Sequence, residues 1–110
     1  MTQWIKVCST SDILENGGSC VTIAGEQIAI FNLDNRREWY AVQNMCPHKQ
    51  QFVLSRGLVG DAQGEPKVAC PLHKNNFSLR TGAHLGGNES WQLKTYSIKV
   101  EQDDIYLMIA

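Results

Sequence analysis

The sequence predicts an all-β protein whose antiparallel strands form a sandwich or barrel, and three observations support that class. Short runs rich in β-branched and aromatic residues alternate with turn signals along the whole chain. Apolar residues recur with a period of two, as at Tyr96, Ile98 and Val100, whereas the helical period is almost absent. The 110 residues are 43% hydrophobic and 19% charged, which indicates a single domain over 1–110 with a modest core.

In the N-terminal half, the first strand is expected at Trp4–Cys8, followed by one helical turn at Ser11–Leu14, because serine and aspartate cap helices well. Cys20–Ala24 and Gln27–Asn32 are predicted to pair around a glycine turn. After a second polar turn, Trp39–Gln43 forms the next strand.

In the C-terminal half, Val68–Cys70 is strand-like, and the polar segment Asp61–Pro66 is predicted to be the connection that precedes it. The last two strands, Thr95–Val100 and Ile105–Ile109, alternate apolar and polar residues and form a hairpin around Asp103 and Asp104.

Two short cysteine–histidine pairs carry most of the functional information. They are Cys46-Pro47-His48 and Cys70-Pro71-Leu72-His73, with 21 residues between His48 and Cys70. Each pair follows a predicted strand, so we expect two loops, at about 44–51 and 69–82, that face each other and form a small metal-binding subdomain. Together the pairs offer two thiolates and two imidazoles.

This donor set suits either a Rieske [2Fe–2S] cluster or a tetrahedral zinc ion. Zinc fingers and ribbons place two cysteines or two histidines in each half of the site, and neither half does so here. The second loop continues with Phe77, Ser78, Thr81 and Gly82, which completes a pattern typical of Rieske second loops. The Rieske interpretation is therefore favoured, with Cys46 and Cys70 on the inner iron and His48 and His73 on the outer one, while zinc stays open.

Composition and charge exclude several other function classes. The net charge of −1 gives no electrostatic basis for binding nucleic acid or an anionic membrane. No apolar run reaches transmembrane length and the N-terminus lacks a secretory signal, so we expect a cytoplasmic protein in which Cys8 and Cys20 are free buried thiols. We find no nucleotide fingerprint and no nucleophile–base arrangement, so this chain alone is expected neither to catalyse a reaction nor to bind a small-molecule substrate.

Two residues outside the ligand set add detail. Lys74 stands where the Rieske pattern usually has glycine, a position that often needs an unusual backbone conformation. Its cation could also aid docking to an acidic partner. His84 matches no ligand position and is interpreted as a surface or turn histidine.

The segment from Cys46 to Gly82 resembles Rieske proteins in general, and the run from Val53 to Pro66 is more specific. Together with Gln27–Phe31 and the chain length, that run is similar to the small subunit of NAD(P)H-dependent assimilatory nitrite reductase. The resemblance implies a Rieske-like fold, a [2Fe–2S] cluster held by the four pair residues, and association with a large subunit. That subunit would carry FAD and sirohaem, bind NAD(P)H and reduce nitrite to ammonium in the cytoplasm.

The resemblance also bears on the reduction potential of the cluster. High-potential Rieske proteins have an extra cysteine in each loop, and those places are filled here by Gln51 and Leu72. We therefore expect a potential in the lower half of the Rieske range of roughly −150 to +300 mV.

Two alternatives remain. One is the ferredoxin component of an aromatic-ring dioxygenase, which the longer segment between the metal pairs disfavours. The other is a non-redox interaction module with a vestigial or zinc-loaded site.

Overall fold

The computed structural model describes residues 3–47, 50–72 and 74–109, and it confirms the all-β prediction. Every pair of neighbouring strands runs antiparallel. The strands described are β1 (Gln3–Ser9), β2 (Gly18–Ile23), β3 (Glu26–Leu33), β4 (Glu38–Gln43), β5 (Met45–Cys46), β6 (Gln51–Phe52), β7 (Leu58–Ala62), β8 (Glu65–Ala69), β9 (Asn76–Ser78), β10 (Thr95–Tyr96), β11 (Ile98–Glu101) and β12 (Asp104–Ile109).

The central sheet has the order β10-β4-β3-β2, and its strand β3 is buried on both faces. Successive side chains of a strand point to opposite faces. Accordingly Ile28 and Ile30 belong to one core cluster and Ala29 and Phe31 to the other, and all four are fully buried. The central sheet is therefore the middle of three layers.

One outer layer is the sheet β1-β12-β11, which joins the two ends of the described chain. Ile105 and Leu107 of β12 are fully buried and share a core cluster with Ile28 and Ile30. The expected C-terminal hairpin is confirmed as the pairing of β11 with β12, but Asp104 pairs with Glu101, so the turn is formed by Gln102 and Asp103. The first two residues of the predicted strand Thr95–Val100 form β10, which pairs with β4 instead. The expected helical turn is a 3₁₀ turn at Thr10–Asp12, where the Asp12 carboxylate accepts a hydrogen bond from the Ser9 N–H.

The opposite layer contains both cysteines of the predicted metal pairs. It consists of the β5-β6 hairpin, a 3₁₀ turn at Leu54–Arg56 and the sheet β7-β8-β9. Leu54, Val68 and Phe77 from this layer are fully buried in one core cluster with Ala29 and Phe31 of β3. A two-loop unit packed on a larger β framework is what the sequence predicts.

The predicted connection at Asp61–Pro66 is wrong in its extent. Asp61 pairs with Pro66 in the ladder between β7 and β8, so only Gln63 and Gly64 turn the chain. Their φ angles of 53° and 91° match the left-handed conformation that a two-residue hairpin turn requires. The segment was predicted to be a loop because several of its residues are polar. In the structure these side chains lie on the solvent-facing side of the hairpin, as the exposed Asp61 does.

The prediction of a buried thiol is also wrong for Cys20. Cys20 is exposed on β2, the edge strand of the central sheet, whereas Cys8 is half-buried. No disulfide joins the cysteines, all four of which lie in the described part of the chain. Within the same residues, no helix is long and apolar enough to cross a membrane.

Candidate metal centre

The two cysteines of the predicted metal pairs are buried in the same core cluster. Cys46 is 0% and Cys70 is 1% exposed, and both belong to the cluster that contains Leu54, Val68 and Phe77. Cys46 ends β5 and Cys70 directly follows β8. The structure thus brings two thiols from separate loops to one apolar region, although they are 24 positions apart in the sequence.

The backbone closes both loops in the same way. The Cys46 carbonyl accepts a hydrogen bond from the Gln50 N–H at 2.7 Å, and the Cys70 carbonyl accepts one from the Lys74 N–H at 2.8 Å. Gln50 and Lys74 have φ angles of 53° and 58°, in the left-handed region that favours glycine. The unusual backbone expected at Lys74 is therefore confirmed, and this chain adopts it with a lysine.

Asn44 anchors the first loop and was missed by the sequence reasoning. It is 2% exposed, and its side-chain oxygen accepts the Ser55 N–H at 2.7 Å. Its amide group lies 3.0 Å from the side-chain oxygen of Gln27, to which it donates, and 3.4 Å from Cys20 Sγ. Its backbone N–H donates to the Gln27 carbonyl, and its carbonyl accepts the Leu54 N–H. One residue, two positions before Cys46, therefore joins the loop to β2, β3 and the second 3₁₀ turn.

The second loop is held by the backbone of its sheet. The Cys70 N–H donates to the Asn75 carbonyl at 2.8 Å, which continues the pairing of Ala69 with Asn76. The chain also passes very close to Gly57, where an added Cβ would lie 2.3 Å from the Ala69 carbonyl oxygen. Gly57 is therefore needed for the position of the strand end that delivers Cys70.

His84 lies beside the second loop and is half-buried, so the prediction of a surface or turn histidine is only partly right. Its ring contacts the rings of Phe77 and Trp91, with centroids 5.4 and 5.0 Å away. Nε2 is 3.3 Å from the Asn75 side-chain oxygen, and Nδ1 accepts the Asn88 N–H at 3.0 Å. An accepting Nδ1 places the ring proton on Nε2, which can then donate to Asn75.

The two predicted imidazole ligands, His48 and His73, lie outside the described residues. The described residues fit a Rieske cluster because the thiols are buried while the second loop reaches solvent at Pro71 and Leu72, the latter 41% exposed. The inner iron of such a cluster takes thiolates and the outer iron takes imidazoles. Among the described residues, no group of three or more Cys, His, Asp or Glu side chains could hold a metal ion, and two of the four proposed ligands, His48 and His73, lie outside those residues.

Ser78 stabilises the strand and turn near the end of the second loop. Its hydroxyl donates to the Glu65 carboxylate at 2.7 Å and accepts the Arg80 and Thr81 N–H groups. These bonds fasten the turn after β9 to β8.

Comparison with known proteins agrees with this geometry. The family model described as a Rieske-like [2Fe-2S] domain matches residues 3–108. This chain belongs to that family. The nitrite reductase (NADH) small subunit of Salmonella typhimurium is 37% identical over 107 residues, which cover 97% of this chain and 98% of that protein. The solved structure of the E. coli protein NirD superimposes with a TM-score of 0.89 at 35% identity, covering 100% of this chain and 99% of that one.

Two further relatives place the family in different protein contexts. The nitrite reductase [NAD(P)H] large subunit of Klebsiella oxytoca is 35% identical over 104 residues, or 94% of this chain but 11% of that protein. The ferredoxin component of the naphthalene 1,2-dioxygenase system of Pseudomonas putida is 33% identical over 99 residues, or 90% of this chain and 88% of that protein. A Rieske-like unit thus occurs both as a separate chain and within a much larger one.

Proposed function

We propose that this chain is the small subunit of an NAD(P)H-dependent assimilatory nitrite reductase, an oxidoreductase that reduces nitrite to ammonium. The main support for this proposal is the sequence similarity to the Salmonella typhimurium small subunit, because it spans nearly the full length of both chains. The buried thiols of Cys46 and Cys70 on matching loops support the Rieske cluster that such a subunit would carry.

The proposed ligands of the Rieske [2Fe–2S] cofactor are Cys46 and Cys70 for the inner iron and His48 and His73 for the outer iron. When bound, the cluster accepts and passes on one electron at a time. The chain itself contributes a dry environment for the thiolates and two backbone turns that fix their positions. We expect the potential to lie in the lower half of the Rieske range, because Gln51 and Leu72 cannot form the extra disulfide.

The partner of this chain is a large subunit that carries FAD and sirohaem and binds NAD(P)H, and catalysis takes place there. The Klebsiella oxytoca large subunit, which matches this chain over one part of its length, supports that pairing. We further propose that residues 1–110 fold as one domain, that the complex works in the cytoplasm, and that the chain alone binds neither nitrite nor another small substrate.

The dioxygenase ferredoxin alternative rests on the Pseudomonas putida relative and is the weaker one. Identity to that protein is 33% over 90% of this chain, against 37% over 97% for the nitrite reductase small subunit. It predicts activity with a dioxygenase and none with a nitrite reductase large subunit.

Metal analysis with spectroscopy tests the cofactor. Anaerobically purified protein should contain two irons and two acid-labile sulfides per chain and give a Rieske-type EPR signal after dithionite reduction. The Cys46→Ser and Cys70→Ser variants should lose the cluster. A stoichiometric zinc ion, or a colourless protein that still binds the large subunit, would instead support the non-redox interaction module.

Reconstitution tests the role. Adding the cluster-loaded chain to the purified large subunit should raise NAD(P)H-dependent nitrite reduction, and the Cys46→Ser protein should not. Unchanged activity together with no complex in sedimentation would refute the proposed function.

A further inference from the structure

A groove of about 540 Å³ lies on the outer side of the second metal loop. It is formed where the start of β7, the end of β8 and the loop itself meet. The residues that line it are Leu58, Lys67, Ala69, Cys70, Pro71, Lys74 and Asn76. One of the two proposed thiolate ligands is therefore part of its wall.

The charged residues that line this groove are all positive. Its lining contains two lysines and no acidic residue, although the whole chain has one more acidic than basic side chain. Lys6, Lys94 and Lys99 each form an ion pair with a carboxylate, whereas Lys67 and Lys74 form none within the described part of the chain. Lys67 Nζ instead donates to the neutral side chain of Asn76 at 3.1 Å. Both cations can therefore pair with a carboxylate from outside.

The groove also has an apolar rim. Leu58 is 78% exposed at the first position of β7, and Pro71, which also lines the groove, is exposed as well. A single exposed leucine is ordinary, and Leu14 on a different part of the surface is 80% exposed. Leu58 differs because it stands beside two cations and a groove, a combination suited to a partner with both apolar and acidic groups.

We propose that this groove is the docking site for an acidic segment of the nitrite reductase large subunit, with an apolar side chain of that segment packing on Leu58. The inference deepens the proposed function and rests on it. Charge complementarity identifies the occupant as acidic. The position of Cys70 in the wall would bring that segment next to the cluster, where an electron-transfer partner must lie.

The test measures the dissociation constant between the full-length, cluster-loaded chain and the purified large subunit, by calorimetry at two salt concentrations. Leu58→Asp should weaken binding about tenfold or more, because it removes the apolar contact and places a carboxylate beside the acidic segment. Lys67→Glu should also weaken binding and reduce its dependence on salt, since it replaces an attractive charge with a repulsive one. Leu58→Gln, which removes the apolar contact without adding a charge, serves as a second variant if the aspartate variant unfolds.

The chain offers matched controls for both changes. Leu14→Asp alters an equally exposed leucine, and its neighbour Ile13 lies in the other core cluster. Arg37→Glu reverses an exposed cation in the turn between β3 and β4, which forms no ion pair within the described structure. Both controls should bind within about twofold of the unaltered chain, a difference well below 1.4 kcal/mol.

Each outcome decides the matter. If the unaltered chain binds and the groove variants bind as well as the controls, the groove proposal is wrong and the proposed function stands. If the unaltered chain does not bind the large subunit at all, both are wrong. If the chain self-associates alone and Leu58→Asp makes it monomeric, the occupant is a second copy, which also overturns the proposal.

Discussion

The two metal loops close with the same backbone turn but are anchored to the protein in different ways. In both, the carbonyl of the cysteine accepts the N–H of the residue four positions later, and that residue is left-handed. The first loop depends on the buried side chain of Asn44, whose polar contacts join three separate segments. The second depends on a continuous backbone ladder from β8 to β9, with His84 bonded to Asn75 at its edge.

This difference follows from the strands that carry the loops. The first loop is flanked by β5 and β6, which have two residues each, so few ladder bonds are available to hold it. The second is carried by the five-residue strand β8, which pairs on both sides with β7 and β9. The loop on the short hairpin therefore relies more on side-chain contacts than the loop on the well-paired strand does.

The largest effect is expected at the anchor of the first loop. Asn44→Ala should lower the free energy of unfolding by about 2–4 kcal/mol, because buried partners such as the Ser55 N–H lose their hydrogen bonds. Denaturant unfolding measures the loss, and iron analysis should show reduced cluster content. Asn44→Asp, which keeps an acceptor for Ser55 but not the donor for Gln27, separates the two contacts. A loss below about 0.5 kcal/mol for the alanine variant would mean that the first loop has another anchor.

The next effect concerns the strand that delivers Cys70. Gly57→Ala should cost about 1–3 kcal/mol, because the new methyl group would collide with the Ala69 carbonyl oxygen and displace the end of β8. Gly60→Ala is the matched control in β7, where the nearest atom to an added Cβ is the flexible end of Lys67 at 3.7 Å. Thermal unfolding measures the melting temperatures of the Gly57→Ala and Gly60→Ala variants. Equal stability of the two variants would show that the close approach at Gly57 is not needed.

A smaller effect is expected at His84. His84→Ala should cost about 1–2 kcal/mol, since it removes the hydrogen bonds to Asn75 and Asn88 and the contact with Trp91. His84→Asn should recover part of this loss, because its side-chain oxygen can accept the Asn88 N–H. Denaturant unfolding measures the stability of the two variants, and the rate of iron release measures how well each retains the cluster. If His84→Ala released iron as fast as Asn44→Ala, the second loop would depend on its side-chain contacts as much as the first loop does. That result would contradict the proposed difference between the loops.

The smallest effect tests the feature that both loops share. Lys74→Gly and Gln50→Gly should each stabilise the protein by up to about 1 kcal/mol, because glycine relieves the left-handed backbone at less cost than a side chain. Melting temperatures of the two variants should rise together. If only one of the two glycine variants had a higher melting temperature, the left-handed residue would be strained in that loop and not in the other.

The sequence reasoning was accurate where residue pattern and local structure coincide. The alternation in Ile105–Ile109 predicted a strand that the structure contains, with a boundary shifted by one residue, whereas Thr95–Val100 was predicted as one strand and is divided between β10 and β11, which belong to different sheets. The sequence did not predict β9, which has only three residues. It also did not predict the hairpin at Asp61–Pro66, because the polar side chains on its solvent-facing side are typical of a loop. It also placed Cys20 inside, since a strand pattern does not tell an edge from a centre.

The all-β class and the set of candidate ligands could be predicted from the amino-acid sequence, because alternation and the spacing of Cys46, His48, Cys70 and His73 are local properties. The groups that surround those ligands depend on the tertiary structure. Asn44 is an anchor because two distant strands and the second 3₁₀ turn bring Cys20, Gln27 and Ser55 to it, and the groove at Leu58 exists because β7 and β8 meet the second loop. Such contacts depend on how segments far apart in the chain pack together, and local residue patterns carry no record of that packing.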